Sequence, residues 1–234
     1  MRFQTPLVPA RLVKRYKRFL ADCTLENGQV VTAHCANPGS MMGLAEPGTR
    51  IWLEPNDDPK KKLKFGWRLV DHENGHFTGV DTSLPNRAIR TALNAQEIPP
   101  LADYRTVKPE VKHGENSRID FLLTDPALPD AYVEVKSVTL SRQRGLAEFP
   151  DSVTARGAKH LNELARVAKA GHRAILFYLV QRTDCDRVTI AHDIDPVYAD
   201  AFHGARHAGV EVIAFDTLIS PQEITIGREL STVT

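Results

Sequence analysis

The chain has 234 residues, enough for one or two domains with a real core. Apolar residues are 42% and charged residues 25%, which excludes a wholly disordered or fibrous chain. Lys and Arg number 30 against 29 Asp and Glu, so the net charge of +1 excludes a globally basic nucleic-acid binder but not a local basic face. No apolar run approaches the roughly 18 residues of a membrane helix. The start, Met1–Val13, lacks a basic stretch followed by an apolar region and a cleavage site, so no signal peptide is expected. Cys23, Cys35 and Cys185 are odd in number and have no C-x-x-C spacing. They point to reduced thiols in a cytoplasm, not to a zinc ribbon.

Residues 1–83 read as strands and turns. Arg11–Leu25, Gln29–Cys35, Thr49–Glu54, Lys64–Asp71 and His76–Asp81 are rich in Val, Leu, Phe and Thr, with turn signals between them. Asn27-Gly28 and Asn74-Gly75 favour tight hairpins. Five short strands bury a face by curling into a small barrel, either OB-like or SH3-like. Residues 84–234 change grammar. A helix is expected over Asn86–Gln96, ended by Pro99-Pro100, then strands over Tyr104–Val111, Arg118–Thr124 and Tyr132–Val138. A long loop, Ser141–Pro150, leads to a helix near Ser152–Ala170 with a Leu161, Leu164, Ala165, Ala168 stripe. Arg173–Val180 is continuously apolar, the mark of a strand buried on both faces. A helix near Pro196–Ala208 and strands at Val210–Phe215 and Glu223–Ile226 complete an α/β (α+β) two-domain chain, with the second domain in α-β-β-β-α-β order.

The positive charge is concentrated at the front. Residues 1–85 hold 12 Lys and Arg against 9 Asp and Glu, and the rest hold 18 against 20. Arg11, Lys14, Arg15, Lys17 and Arg18 fall within eight residues around Tyr16. In one continuous strand Lys14, Tyr16 and Arg18 share a face, where cations track phosphates and an aromatic ring stacks on a base. Lys60–Trp67 has similar chemistry, and the bland alternative for either cluster is a solvated face over a core aromatic.

The chemistry-bearing pattern is Asp120 within Ile119-Asp120-Phe121-Leu122-Leu123, followed by Glu134-Val135-Lys136 on the next strand. A charge in so apolar a run is costly without a partner. If the strands pair, Asp120 stands beside Glu134, and two adjacent carboxylates repel unless a cation offsets them. Mg²⁺ or Mn²⁺ held by Asp120, Glu134 and the Val135 carbonyl meets that need, and Lys136 then orients or deprotonates a water against a phosphodiester. A solvated salt-bridge face is the competing reading. Arg156, Lys159, His160 and Glu163 add a polar, mostly basic helix face, and Arg142 and Arg144 a further possible nucleic-acid contact. His203 and His207 lack a third ligand and read as surface histidines.

Ser117–Leu123, Tyr132–Leu140, Pro150–Leu164 and His34–Met41, taken together, resemble the bacterial sugar fermentation stimulation protein A family over nearly the whole chain. The resemblance implies an OB-fold over residues 1–83 and a PD-(D/E)xK nuclease-like domain over 84–234. It implies DNA binding with little sequence specificity, single- or double-stranded, and a regulatory link to sugar (maltose) metabolism. It maps the nuclease signature onto Asp120, Glu134 and Lys136 without establishing cleavage. Many members of the wider fold add an acid, for which Glu110 is favoured over Glu97 and Glu115. Two other readings compete: a non-catalytic DNA-binding regulator, and a barrel-plus-α/β protein that binds a small anionic ligand.

Overall fold

Strands with one apolar face bury it by closing on themselves, and the first five do so. In the computed structural model, which describes residues 1–113 and 117–233, these are β1 (Val8–Tyr16), β2 (Leu20–Leu25), β3 (Val30–Cys35), β4 (Arg50–Pro55) and β5 (Phe65–Asp71). They run in the order β3-β2-β1-β4-β5, and a parallel pairing of β3 with β5 closes the barrel. Leu12, Cys23, Cys35, Met41, Leu44, Ile51, Leu53 and Trp67 fill it. The expected strand over Arg11–Leu25 is two strands. The chain reverses at Lys17 (φ 49°) and Arg18 (φ 62°), a left-handed pair without the Gly or Asn that marks such turns. The guanidinium of Arg15 reaches back to the Arg18 carbonyl (3.0 Å) and supports the reversal.

β6 (Phe77–Gly79) hangs on β5 and leads into α1 (Leu84–Asn94). A meander of β7 (Thr106–His113), β8 (Ser117–Asp125) and β9 (Leu128–Val138) follows. After a hairpin of β10 (Leu140–Gln143) and β11 (Gly145–Phe149) come α2 (Ala155–Lys169) and β12 (Arg173–Val180), which returns parallel to β9. β13 (Cys185–Ile190), α3 (Pro196–His207), β14 (Glu211–Ile219), β15 (Ile224–Glu229) and β16 (Ser231–Val233) complete the chain. The main sheet runs β15-β14-β12-β9-β8-β7, and a smaller one runs β10-β11-β13-β16. The expected loop over Ser141–Pro150 is thus mostly a hairpin turning at Gly145 (φ 78°), where a left-handed conformation is needed.

β12 is buried from Ala174 to Val180. Ile175, Phe177 and Leu179 meet α1 on one side, while Leu176, Tyr178 and Val180 meet α2 and α3 on the other. Thr154 caps α2 by accepting from Gly157 N–H. A Cβ on Gly157 would stand 2.8 Å from Thr154 and 3.1 Å from Tyr198, so glycine permits the approach of α3. Beyond Val180 the chain reaches the barrel. Gly79 N–H donates to the Gln181 carbonyl (2.9 Å), and Phe77 N–H donates to Thr183 Oγ1 (3.0 Å). Leu7 and Leu69 from the N-terminal part pack into the same core as α1. The three cysteines are free and buried. No described helix is long and apolar enough to cross a membrane.

Candidate active site

The antiparallel register of β8 with β9 pairs Phe121 with Val133 and Leu122 with Tyr132. One step further, Asp120 lies across from Glu134. There the ladder gives way to a side-chain contact: Val135 N–H donates to Asp120 Oδ2 (2.7 Å). Asn86, in the first turn of α1, donates from Nδ2 to Asp120 Oδ1 (2.7 Å). Burial, and then the charge of Glu134, push the Asp120 carboxyl up to about 6 despite these donors.

Glu134 is buried and shares a strand face with Lys136, whose Nζ donates to Oε1 (2.6 Å). His160 on α2 reaches the same oxygen through Nδ1, while its Nε2 accepts from Arg156 Nε (3.2 Å). Burial works to raise the Glu134 carboxyl. The His160 hydrogen bond and the Lys136 ammonium outweigh it, so the group lies below the usual carboxylate range. Within a few ångströms the site therefore holds one carboxylate matched by donors and one left electrostatically expensive.

The structure brings Asp120, Glu134, Lys136, His160 and Arg156 together. Lys159 is exposed on the same helix and faces Glu163 (3.9 Å). Glu110 is exposed on the edge strand β7, in a left-handed bulge (φ 54°) opposite the Asp120 position. Glu97 is exposed beyond α1, and Glu115 lies outside the described residues. Among the described residues no group of three or more His, Cys, Asp or Glu is arranged to hold a metal ion. The hard oxygen donors are thus two carboxylates, and α1 delivers the amide of Asn86 where an acid was sought. Asn86 stood out in the sequence only as the first residue of the expected helix; nothing local marks a contact 34 residues away.

The candidate nucleic-acid cations are spread and largely paired. Arg11 makes a two-pronged contact with Glu73 (2.7 and 2.6 Å) at the far side of the barrel. Lys14 lies 3.6 Å from Asp22 and over the Tyr16 ring, and Tyr16 donates its hydroxyl to Asp22. Arg18 is in the turn, so it does not continue the Lys14–Tyr16 strand face as the sequence reading expected. Arg15 donates to the carbonyls of Asn37 (2.8 Å) and Gly39 (3.0 Å), fixing the loop after β3. Arg142 is held by Glu148 and Asp193, while Arg144 is exposed at the hairpin tip.

A cleft of about 440 Å³ opens between that loop and the end of β9. Asn37 and Gly39 form its barrel side, Ser152 and Thr154 the α2 side, and Lys136 and Ser137 its floor. Gly39 sits so close to Asp151 that an added Cβ would lie 2.4 Å from its carboxylate, so any larger residue would displace the Asp151 side chain where the loop meets the second domain.

A closed five-stranded barrel joined to an α-β-β-β-α-β sheet, with Asp, Glu and Lys on adjacent strands, defines an OB domain fused to an α/β domain. The comparisons agree. Residues 83–223 match the sugar fermentation stimulation protein RE domain, and residues 13–80 match the SfsA N-terminal OB domain. The sugar fermentation stimulation protein homolog of Ruegeria pomeroyi is 76% identical, covering 98% of this chain and 100% of that protein. That of Agrobacterium fabrum is 50% identical over 97% and 94%. The chain belongs to the sugar fermentation stimulation protein family. Its fold matches the structure of Pyrococcus furiosus SfsA in complex with Ca²⁺, with TM-score 0.88, 26% identity and coverage of 100% of this chain and 98% of that one.

Proposed function

We propose that this protein binds DNA with little regard to sequence and cleaves phosphodiesters at Asp120, Glu134 and Lys136 with Mg²⁺ or Mn²⁺. The observation that carries the reading is the costly juxtaposition of Asp120 and Glu134, which a divalent cation relieves. Mg²⁺ suits one or two carboxylates with remaining positions left to water and phosphate, and the Ca²⁺ of the Pyrococcus protein shows a hard cation bound by a relative. The ion would supply charge for the phosphate oxygens and a bound water of lowered pKa. Asp120 and Glu134 would hold it, with the Val135 carbonyl as a third donor. Lys136 orients the attacking water and offsets charge developing on phosphorus. His160 fixes the Glu134 carboxylate, and Arg156 fixes His160. The link to sugar (maltose) metabolism belongs to this reading, as does a cytoplasmic location, where buried thiols stay reduced.

The test is incubation of labelled DNA with Mn²⁺ or with EDTA, using native protein and Lys136→Ala. The expected result is cleavage by native protein with Mn²⁺ alone. Binding without cleavage under every condition would support the non-catalytic regulator instead. That second reading draws on the missing third acid among the described residues.

Binding should also show a moderate salt dependence. Each phosphate contact that releases counterions adds about −0.7 to −0.9 to the slope of log affinity against log salt. Arg11, Lys14 and Arg142 already have carboxylate partners. A titration from low to physiological salt should therefore give a slope of about −2 to −4, and a flat line would sink phosphate-driven binding.

A further inference from the structure

We propose that the nucleic acid this protein takes is single-stranded, with a base stacked on Phe19 and His34 and the adjoining strand led into the cleft at Lys136. The inference rests on the nucleic-acid reading above and names its substrate class.

Phe19 ends the left-handed turn between β1 and β2 and is 45% exposed. Its carbonyl accepts from Cys35 N–H (2.8 Å), which fixes it beside the end of β3. There the exposed His34 ring lies nearly parallel to it, 21° between planes and 6.4 Å between centroids. Two exposed rings beside the exposed cations Lys17 and Arg18 form the combination that holds unpaired bases and their phosphates. A duplex hides its base faces and cannot use such a platform.

The platform is physically joined to the cleft. The single guanidinium of Arg15 donates to the Arg18 carbonyl on the turn and to the carbonyls of Asn37 and Gly39 on the cleft rim. One side chain thus ties the turn that precedes Phe19 to the wall of the cleft. The cleft, about 440 Å³, has the size of a small-molecule pocket, so it has room for a nucleotide. Its lining mixes apolar residues with the neutral polar Asn37, Ser137, Thr139, Ser152 and Thr154; its floor carries Lys136, and of its two acids Glu148 is held by Arg142 while Asp151 lies against Gly39.

The experiment is fluorescence anisotropy in EDTA, with labelled dT and rU oligonucleotides of about 12 nucleotides and a blunt duplex of the same length. Native protein should bind at least one single strand on the order of tenfold tighter than the duplex. Phe19→Ala with His34→Ala should lose roughly that factor for the single strand and leave duplex binding unchanged. Phe19→Leu, which keeps the turn apolar, serves as the second variant. With it, a 2-aminopurine base quenched by native protein should stay bright. Equal affinity for duplex and single strand, with no effect of either variant, overturns this inference while nucleic-acid binding stands. Binding of none of the three probes overturns the underlying reading as well.

Discussion

Asp120→Asn is expected to abolish Mn²⁺ binding and at the same time raise the melting temperature of the metal-free protein at pH 7. The native Asp120 carboxyl, pushed up to about 6, binds its proton more tightly than in the unfolded chain, where it lies near 3.8. Its favourable contribution is therefore complete below about pH 4 and is lost as pH rises through 6. Two units correspond to an energetic penalty on the order of 2–3 kcal/mol at neutral pH. Asparagine is nearly isosteric and uncharged. It can accept from Val135 N–H through its oxygen and meet Asn86 after that amide flips, so the local hydrogen bonds survive. Melting curves from pH 4 to 8 should show the variant's advantage over native protein growing from about pH 4 and levelling off above about pH 6, at several degrees at pH 7. Calorimetric titration of Mn²⁺ should give heat with native protein and none with the variant. Equal titrations, or a variant less stable at pH 7, would return the carboxylates to an ordinary salt-bridge cluster.

Arg68→Met should be the most damaging single change outside the hydrophobic core. Arg68 donates from Nε to Glu54 (2.7 Å) and pairs through Nη1 with Asp81. Both carboxylates are buried, 7% and 2% exposed. Glu54 also accepts from Gln4 N–H and Asp81 from Ser83 N–H, neutral donors that do not cancel the charge; Arg87, 3.6 Å from Asp81, remains as a more distant cation there, so Glu54 is the carboxylate left wholly unpaired. Stranding buried carboxylates costs about 3–5 kcal/mol, or a fall of about 10 °C in melting temperature for a chain of this size. Arg11→Ala is the comparison. Arg11 and Glu73 are about half exposed, so solvent screens the pair and its loss should lower the melting temperature far less than the Arg68 change does. Similar losses in the two variants would mean that the Arg68 pairs are as well solvated as the surface one.

What the sequence revealed followed the strength of its local signals. Arg173–Val180 lies in a strand that burial on both faces makes a continuous apolar run, and Ile119–Leu123 and Tyr132–Val138 carry enough apolar residues for Asp120 and Glu134 to stand out among them. The hidden parts had weak or nonlocal signals. The turn at Lys17-Arg18 adopts positive φ without Gly or Asn because Arg15 supports it from outside the turn. β10, β11 and β13 carry mixed polar sequences whose pairing depends on one another, so no segment announced a strand. Glu73, the partner of Arg11, comes from 62 residues away and Asp193, one of the two partners of Arg142, from 51, which hid much of their neutralisation from any reading of charge runs.

The seam between barrel and sheet has a mechanical consequence. Gly79 and Phe77 hydrogen-bond across it, Asp81 is clamped by Arg68, and Val80 and Leu84 are buried. A connecting segment anchored in this way is a weld, not a hinge. A fragment ended at Ser83 would expose Leu7 and Leu69 along with the unpaired backbone of β6, and such edges promote association between copies. Limited proteolysis should accordingly spare residues 77–84. The spacing between the Phe19 turn and Lys136 is then a fixed length built into the molecule, so a strand held at one end would always meet the other at the same nucleotide, as on a ruler.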